Sequence, residues 1–419
     1  MQLHFLMVGF AGNEMYVQSA LKKGAKISLL ICADKYKDAY KGFFHQILIV
    51  NDIYDWQEVK QAIDQSDKID AVFTRFENYV SLVGAINQYL GLKGIDYQTS
   101  RNFCNKYLMK QKWLAAGVPC ADGICLNDLS ELDEFLAKHT FPLVLKKTSA
   151  SHSSFVIKVK SKQDLLLQLA FLKSKAAGYI VSSPVKGYGN ETQECQFLLE
   201  EMLHGRELTV DTFVSNGCFT HTPICEYVMA HELGIDDSYL PIRMMPTTLS
   251  VDQEKVVYAT VEKALAALEA RNCVCHSEVF FNELNDSCVL IEATPRSGGN
   301  RAKMTFLTTG HDYNLSVFKA AAALAIDTVA RPTCSVGVIE YFAEQKGVIK
   351  SFNLDFLRLH PAVSNVKIRY KVGDVVEQAQ FAGKSIVSFF VQKKDCLKTR
   401  QLAIQLFKQV RKAIKIDYS

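Results

Sequence analysis

The chain has 419 residues, 48% of them hydrophobic, and a formal net charge of +4. At roughly 100–200 residues per domain it can build about two to four units with substantial cores, and its basic excess is too small and too dispersed for a nucleic-acid-binding face. No run approaches the ~18 apolar residues of a membrane span. "MQLHFLMVGF" lacks the basic start and long apolar run of a signal peptide, and the twelve cysteines follow no disulfide or zinc spacing. A cytoplasmic protein is expected, without nucleic-acid or membrane partners.

The first ninety residues alternate strand and helix. "LHFLMVGF", "KISLLICA", "HQILIVND" and "IDAVFTRF" read as strands, and "AGNEMYVQSALKKG", "DWQEVKQAID" and "YVSLVGAINQYLG" as helices. Near-continuous apolar strands separated by helices predict a parallel, doubly wound sheet. Gly9 and Gly12 mark its first strand–helix turn without completing a dinucleotide fingerprint. "TSRNFCNKYLMKQKWLAAGVP" reads as one helix capped by Thr99 or Ser100 and ended by Gly117 and Pro119.

Next come the strand "FPLVLKK", the small polar loop "TSASHSS", the strand "FVIKVK" and the helix "SKQDLLLQLAFLKSK". A polar linker over 182–194 precedes the strand "CQFLLEEML". "ELTVDTFV" and "CFTHTPICEY" form a hairpin about Asn216-Gly217. After the helix "DQEKVVYATVEKALAALEA", the strands "CHSEVFFNEL" and "SCVLIEA" pair about Asn285-Asp286. Cys273 and Cys275 read as small strand hydrophobes. Past Arg331 short strands and turns predict a β-rich unit, closed by a helix whose wet face carries the Lys/Arg excess of "KKDCLKTR" and "FKQVRKAIK".

Glu278 and Glu292 lie on the two strands of one predicted hairpin. Carboxylates brought close on a sheet face repel unless a proton or cation sits between them, and Mg²⁺ commonly uses one or two carboxylates plus phosphate oxygens. Two strand glutamates alone are equally compatible with a solvent-facing sheet. Lys146 ends a strand and is followed by Ser149, Ser151 and Ser153, small residues that leave backbone N–H groups open to phosphate. Lys106 sits one helix earlier, and each lysine alone is also what a wet surface carries. "FLLEEMLHGRELTVD" brings Glu200, Glu201, Glu207 and Asp211 around a His204-Gly205 turn, as a connecting segment or as a hairpin of exposed acids.

In this order the segments resemble the ATP-grasp superfamily, in pattern its amino-acid (dipeptide) and carboxylate–amine ligases. "NKYLMKQKWLAAGVP" is similar to the segment bearing a nucleotide-binding lysine, here Lys106, and "FPLVLKKTSASHSS" to the strand, lysine and mobile loop, here Lys146 with Ser149, Ser151 and Ser153. "LLEEMLHGRE" resembles the hinge, which puts Glu200, Glu201, Met202 and Leu203 at adenine and Glu207 at ribose. "HSEVFFNELNDSCVLIEATPRSGG" resembles the metal block, with Glu278 and Glu292 as ligands and Arg296 at the reacting phosphate. Thr294 is the third metal candidate, a shorter and poorer ligand standing where the family usually has asparagine, and the mobile loop is serine-rich where many members have glycine.

The resemblance implies an α/β (α+β) architecture. Residues 1–98 form an N-terminal doubly wound domain, 99–135 a linker helix region, 136–203 a nucleotide lid, 204–330 an antiparallel catalytic subdomain, and 331–419 a β-rich C-terminal lid. It implies ATP and Mg²⁺ (with Mn²⁺ as a substitute), small-molecule carboxylate and amine substrates, an acyl phosphate intermediate and a homodimer. His276, Glu226, Gly298, Gly299, Asn300 and Arg301 are weaker substrate-binding candidates. A carboxylase of the biotin or purine-pathway type, and a nucleotide-binding protein without turnover, are the competing readings.

Overall fold

The computed structural model describes residues 3–149, 155–176, 184–188, 195–235, 240–379 and 383–418. Strands His4–Val8, Lys26–Cys32, Gln46–Val50 and Ala71–Thr74 form the expected parallel sheet, with His4–Val8 between Lys26–Cys32 and Ala71–Thr74. Gly9 ends the first strand at φ +76°, where a Cβ would come 2.4 Å from the Tyr79 ring, so close packing fixes this glycine.

The helix expected over 99–116 is two helices, Tyr97–Cys104 and Lys106–Ala115. Asn105 separates them in extended conformation and caps the second through Tyr107 N and Leu108 N at 3.0 and 3.3 Å. An Asn side chain competes with helical hydrogen bonds and favours this position. The first helix is capped by Asp96, one turn ahead of the expected Ser100. The break puts Lys106 at a helix start instead of mid-helix.

Gly123–Cys125, Phe197–Glu201, Leu143–Lys147 and Val156–Val159 form, in that order, a small antiparallel sheet. Alternation along its strands separates two jobs. Leu143, Leu145, Phe197 and Leu199 pack with Leu165, Leu169 and Leu172 of the helix Lys162–Ala176, so Lys146 and Glu200 face the other way.

The large sheet is antiparallel and runs Ser287–Thr294, Cys273–Asn282, Arg206–Ser215, Cys225–Val228, Ile242–Met245, Ser335–Tyr341, Val387–Lys393 and Val363–Ile368. The last three belong to the β-rich C-terminal segment, which extends this sheet. Cys396–Ala413 buries Ala403, Leu406, Phe407 and Val410 against it. "CFTHTPICEY" is split into Cys218–His221 and Cys225–Val228, with Pro223 between them; proline lacks the N–H that an internal strand donates. One sheet face packs on the helix Val251–Ala267 through Leu208, Val210, Cys275, Val279, Phe281, Leu290 and Ala293. The other is covered at one end by the helix Tyr313–Ala321, whose Val317 and Phe318 share a core with Phe213, Val274 and the N-terminal residues Phe5 and Phe73. That helix therefore fixes the parallel-sheet domain over the large sheet. No described helix is long and apolar enough to cross a membrane.

Candidate active site

The uncovered part of that second face is polar. Glu207, Thr209 and Asp211 share it by alternation, and register puts His276 opposite Asp211 and Glu278 opposite Thr209. On the outer side Glu278 faces Glu292 and His276 faces Thr294. Leu290 and Glu292 are two residues apart and should point the same way, yet Leu290 is in the helix-packed core. The reason is a bulge: Glu278 pairs Glu292 while Val279 pairs Leu290, leaving Ile291 as the extra residue. The bulge frees Glu292 to meet Glu278.

Four cations converge on these carboxylates. Lys106 Nζ lies 2.8 Å from Glu292 Oε2. Lys110, one turn further along the same helix, lies 2.7 Å from Glu200 Oε1, and Lys146 bonds the other oxygen of Glu200. Arg296 donates to Glu77 Oε2 at 2.7 Å. Glu77 follows the last N-terminal strand, so this pair bridges two domains. Lys106 thus pairs with Glu292, Lys110 and Lys146 with Glu200, and Arg296 with Glu77, while Glu278 has His276 Nε2 at 3.4 Å. Buried charges persist when paired in this way. A nucleotide with a divalent cation can enter by exchange, its phosphates taking lysines and its cation the freed carboxylates.

Burial works against the charge on Lys106, but Glu292, Glu77 and Glu278 outweigh it and raise its pKa above the ordinary lysine range. Burial also opposes ionisation of Glu292, yet Lys106, Lys146 and Arg296 hold it below the usual carboxylate range. For Lys146 burial prevails over the attraction of Glu200, helped by repulsion from Lys110, and its pKa is lowered. For Glu207 the opposing charge is Arg243, which does not prevail. Burial, then Glu278 and Glu292, push its carboxyl up to about 8.

A carboxyl raised above its ordinary 4.5 supports the fold fully below that pH and loses the contribution as pH climbs through about 8. The melting temperature of Glu207→Gln relative to the parent is therefore expected to rise across this window. A difference that stays constant with pH contradicts the placement of Glu207 beside the glutamate pair.

The expected residues are not all gathered at the cluster. Lys106, Lys146, Glu200, Glu207, His276, Glu278, Glu292, Thr294, Arg296 and Gly298 are brought together. Glu201 turns to the backbone N–H of Asp122, 2.9 Å away, and half-buried Met202 and Leu203 form the connection between the small sheet and the large one. Ser149 is at the start of the serine loop; Ser151 and Ser153 lie outside the described residues. Gly299 and Asn300 are exposed, while Arg301 is buried and donates to Thr209 Oγ1 and Tyr227 OH at 2.6 and 2.9 Å. Glu226 pairs opposite Leu208 and hence faces the other side of the sheet, where Arg206 and Arg400 bind it. Cys273 and Cys275 are free thiols 3.5 Å apart.

The residues missed from sequence are Lys110, Glu77 and Tyr313, whose hydroxyl donates to Asp211. Lys110 carries a signal, four residues after Lys106 and so on the same helix face. Glu77 carries none, because its partner is 219 residues away.

Gly298 has a specific reason to be glycine. A Cβ there would come 2.5 Å from His276 Nδ1, whereas one at Gly299 would meet nothing within 4 Å. Gly298→Ala is expected to lower stability by about 1–3 kcal/mol, as overpacking does, and Gly299→Ala to leave it unchanged. Equal melting temperatures for the two variants contradict the contact.

Glu278 and Glu292 fit a small divalent cation: they are directly opposed, on one face, beside Lys106. Among the described residues no group of three or more His, Cys, Asp or Glu is arranged around a metal position. The remaining ligands would come from phosphate and water, which suits Mg²⁺. Thr294 lies one pair further along, buried opposite His276.

A parallel-sheet domain, a small sheet carrying buried lysines and a large antiparallel sheet carrying paired glutamates thus meet at one cluster. Residues 139–304 match the model of the ATP-grasp domain. It is 22% identical to the L-arginine-specific L-amino acid ligase of Bacillus subtilis over 363 residues, 82% of this chain and 81% of that one. The solved L-amino acid ligase of Bacillus licheniformis superposes with a TM-score of 0.78 at 15% identity, over 100% of this chain and 99% of that one. N5-carboxyaminoimidazole synthetase from Staphylococcus aureus, solved with ADP, superposes with a TM-score of 0.71 at 15% identity, over 97% and 98%. The domain match and the solved structures agree on the ATP-grasp fold.

Proposed function

We propose that the protein is an ATP- and Mg²⁺-dependent ligase that joins an amino acid or other small carboxylate to an amine. The observation that carries this reading is the cluster of ion pairs in which Glu278 and Glu292 oppose each other beside Lys106 and Arg296. The amino-acid ligases among its relatives supply the substrate class.

In this mechanism a substrate carboxylate oxygen attacks the γ-phosphorus of ATP and ADP leaves. The amine then attacks the acyl carbon, phosphate departs with the C–O bond electrons, and the nitrogen loses a proton to form the amide. Lys106 and Lys146 neutralise phosphate oxygens. Lys110 shares Glu200 with Lys146 and so sets the position of the latter. Arg296, held by Glu77, faces the charge that builds on the transferred group. Mg²⁺ on Glu278 and Glu292 would supply further charge stabilisation when bound. The chain's work is positioning and electrostatics, the terms that dominate phosphoryl transfer.

The test is ADP release with pooled amino acids. Release that needs a pair of them supports the reading. Dependence on bicarbonate supports a carboxylase instead, and nucleotide binding with no release under any pool supports a protein without turnover.

A further inference from the structure

Asp211 is wholly buried, and both of its oxygens are engaged by groups from three separate elements. Oδ1 lies 2.6 Å from His276 Nδ1 on the neighbouring strand. Oδ2 accepts from Gly298 N at 2.9 Å, in the turn that carries Arg296, and from the hydroxyl of Tyr313, at the start of the helix beneath the N-terminal domain. The other ring nitrogen of His276 does not turn to backbone: Nε2 lies 3.4 Å from Glu278 Oε1. The ring is pressed against Gly298, where no side chain fits.

We infer that Asp211 is a positioning residue, which aims the Glu278 carboxylate through His276 and holds the Arg296 turn through Gly298. The inference rests on the ligase reading, in which Glu278 holds the cation. A filler of the sheet would need partners for its own charge only. Asp211 instead ties the cation ligand, the arginine turn and the inter-domain helix to one fixed point. A histidine held by one carboxylate presents its far nitrogen in a set direction, and such outer partners typically contribute 10–100-fold to metal affinity or activity.

The experiment is a calorimetric titration of Mn²⁺ into protein saturated with a non-hydrolysable ATP analogue. Asp211→Asn and His276→Gln are each expected to weaken Mn²⁺ binding about 10–100-fold. Affinity for the analogue without metal should stay within about twofold, a split that a general loss of structure would not produce. The double variant should lose no more than the worse single one, because both act along one path.

Unchanged Mn²⁺ affinity in Asp211→Asn, or losses that multiply in the double variant, overturns the inference. Should Asp211→Asn fail to fold, Tyr313→Phe removes one donor to the same oxygen. It is expected to show the same selective loss at smaller size, and no loss there also overturns the inference. A parent protein that binds no Mn²⁺ with the analogue instead fails the ligase reading itself.

Discussion

Glu292→Gln is expected to abolish ADP release while leaving the far-UV spectrum close to the parent. Its melting temperature should fall, because buried Lys106 loses its charged partner. The amide keeps the shape and can still accept from Lys106, which now lies 2.8 Å away. What it removes is a charge. With Glu278 left alone, the opposed pair no longer offers two anionic ligands, and the expected loss in turnover exceeds about 100-fold, the upper end of what an outer partner of a metal ligand contributes. A second readout comes free. Glu292 is one of the two charges that push Glu207 up to about 8, so in Glu292→Gln the pH-dependent stability attributed to Glu207 should move toward lower pH. Activity surviving the substitution would remove Glu292 from the metal site.

Lys146→Met is expected to raise the nucleotide Kd about 10–100-fold, the range for losing one charged hydrogen bond of roughly 1.5–3 kcal/mol. It is also expected to destabilise the protein. Lys146 and Glu200 are buried, with side-chain exposures of 6% and 5%, and breaking such a pair leaves an uncompensated charge. The cost should fall at or below the low end of the ~3–5 kcal/mol typical of such breaks, because Lys110 still pairs with Glu200. Lys146→Met combined with Glu200→Gln and Lys110→Met, which removes the whole buried charged group, separates the two effects. The triple variant should regain most of the melting temperature and none of the nucleotide affinity. Recovery of affinity along with stability would show that Lys146 serves the small sheet and not the phosphates.

Much of this was legible because alternation is legible. The parallel N-terminal sheet follows from strand–helix alternation, and Glu278 and Glu292 were placed on one hairpin by the turn at Asn285-Asp286, where Asp286 adopts φ +50°. The register between them was not legible. Ile291 must be skipped for both glutamates to share a face, and nothing in "VLIEAT" marks the bulge. Asn105 was hidden for the opposite reason: its capping role makes sense only once the helix is known to break there.

Contacts between distant segments escaped altogether. Glu77 reads as a loop acid until the helix Tyr313–Ala321 seats its domain over Arg296. Asp211 reads as one more exposed strand acid until Tyr313 and Gly298 enclose it. Gly298 drew notice as a glycine near substrate, whereas its missing side chain makes room for the His276 ring.

The central claim is that a substrate carboxylate is activated by phosphorylation between these two sheets. It is tested most directly by oxygen tracing, with the amino-acid substrates labelled with ¹⁸O in their carboxyl groups and the released phosphate read by mass spectrometry. An acyl phosphate requires one carboxylate oxygen to leave with phosphorus, so the account predicts one ¹⁸O in each phosphate formed with amide product. Unlabelled phosphate accompanying the same ADP release would mean that water is the acceptor, and would contradict it.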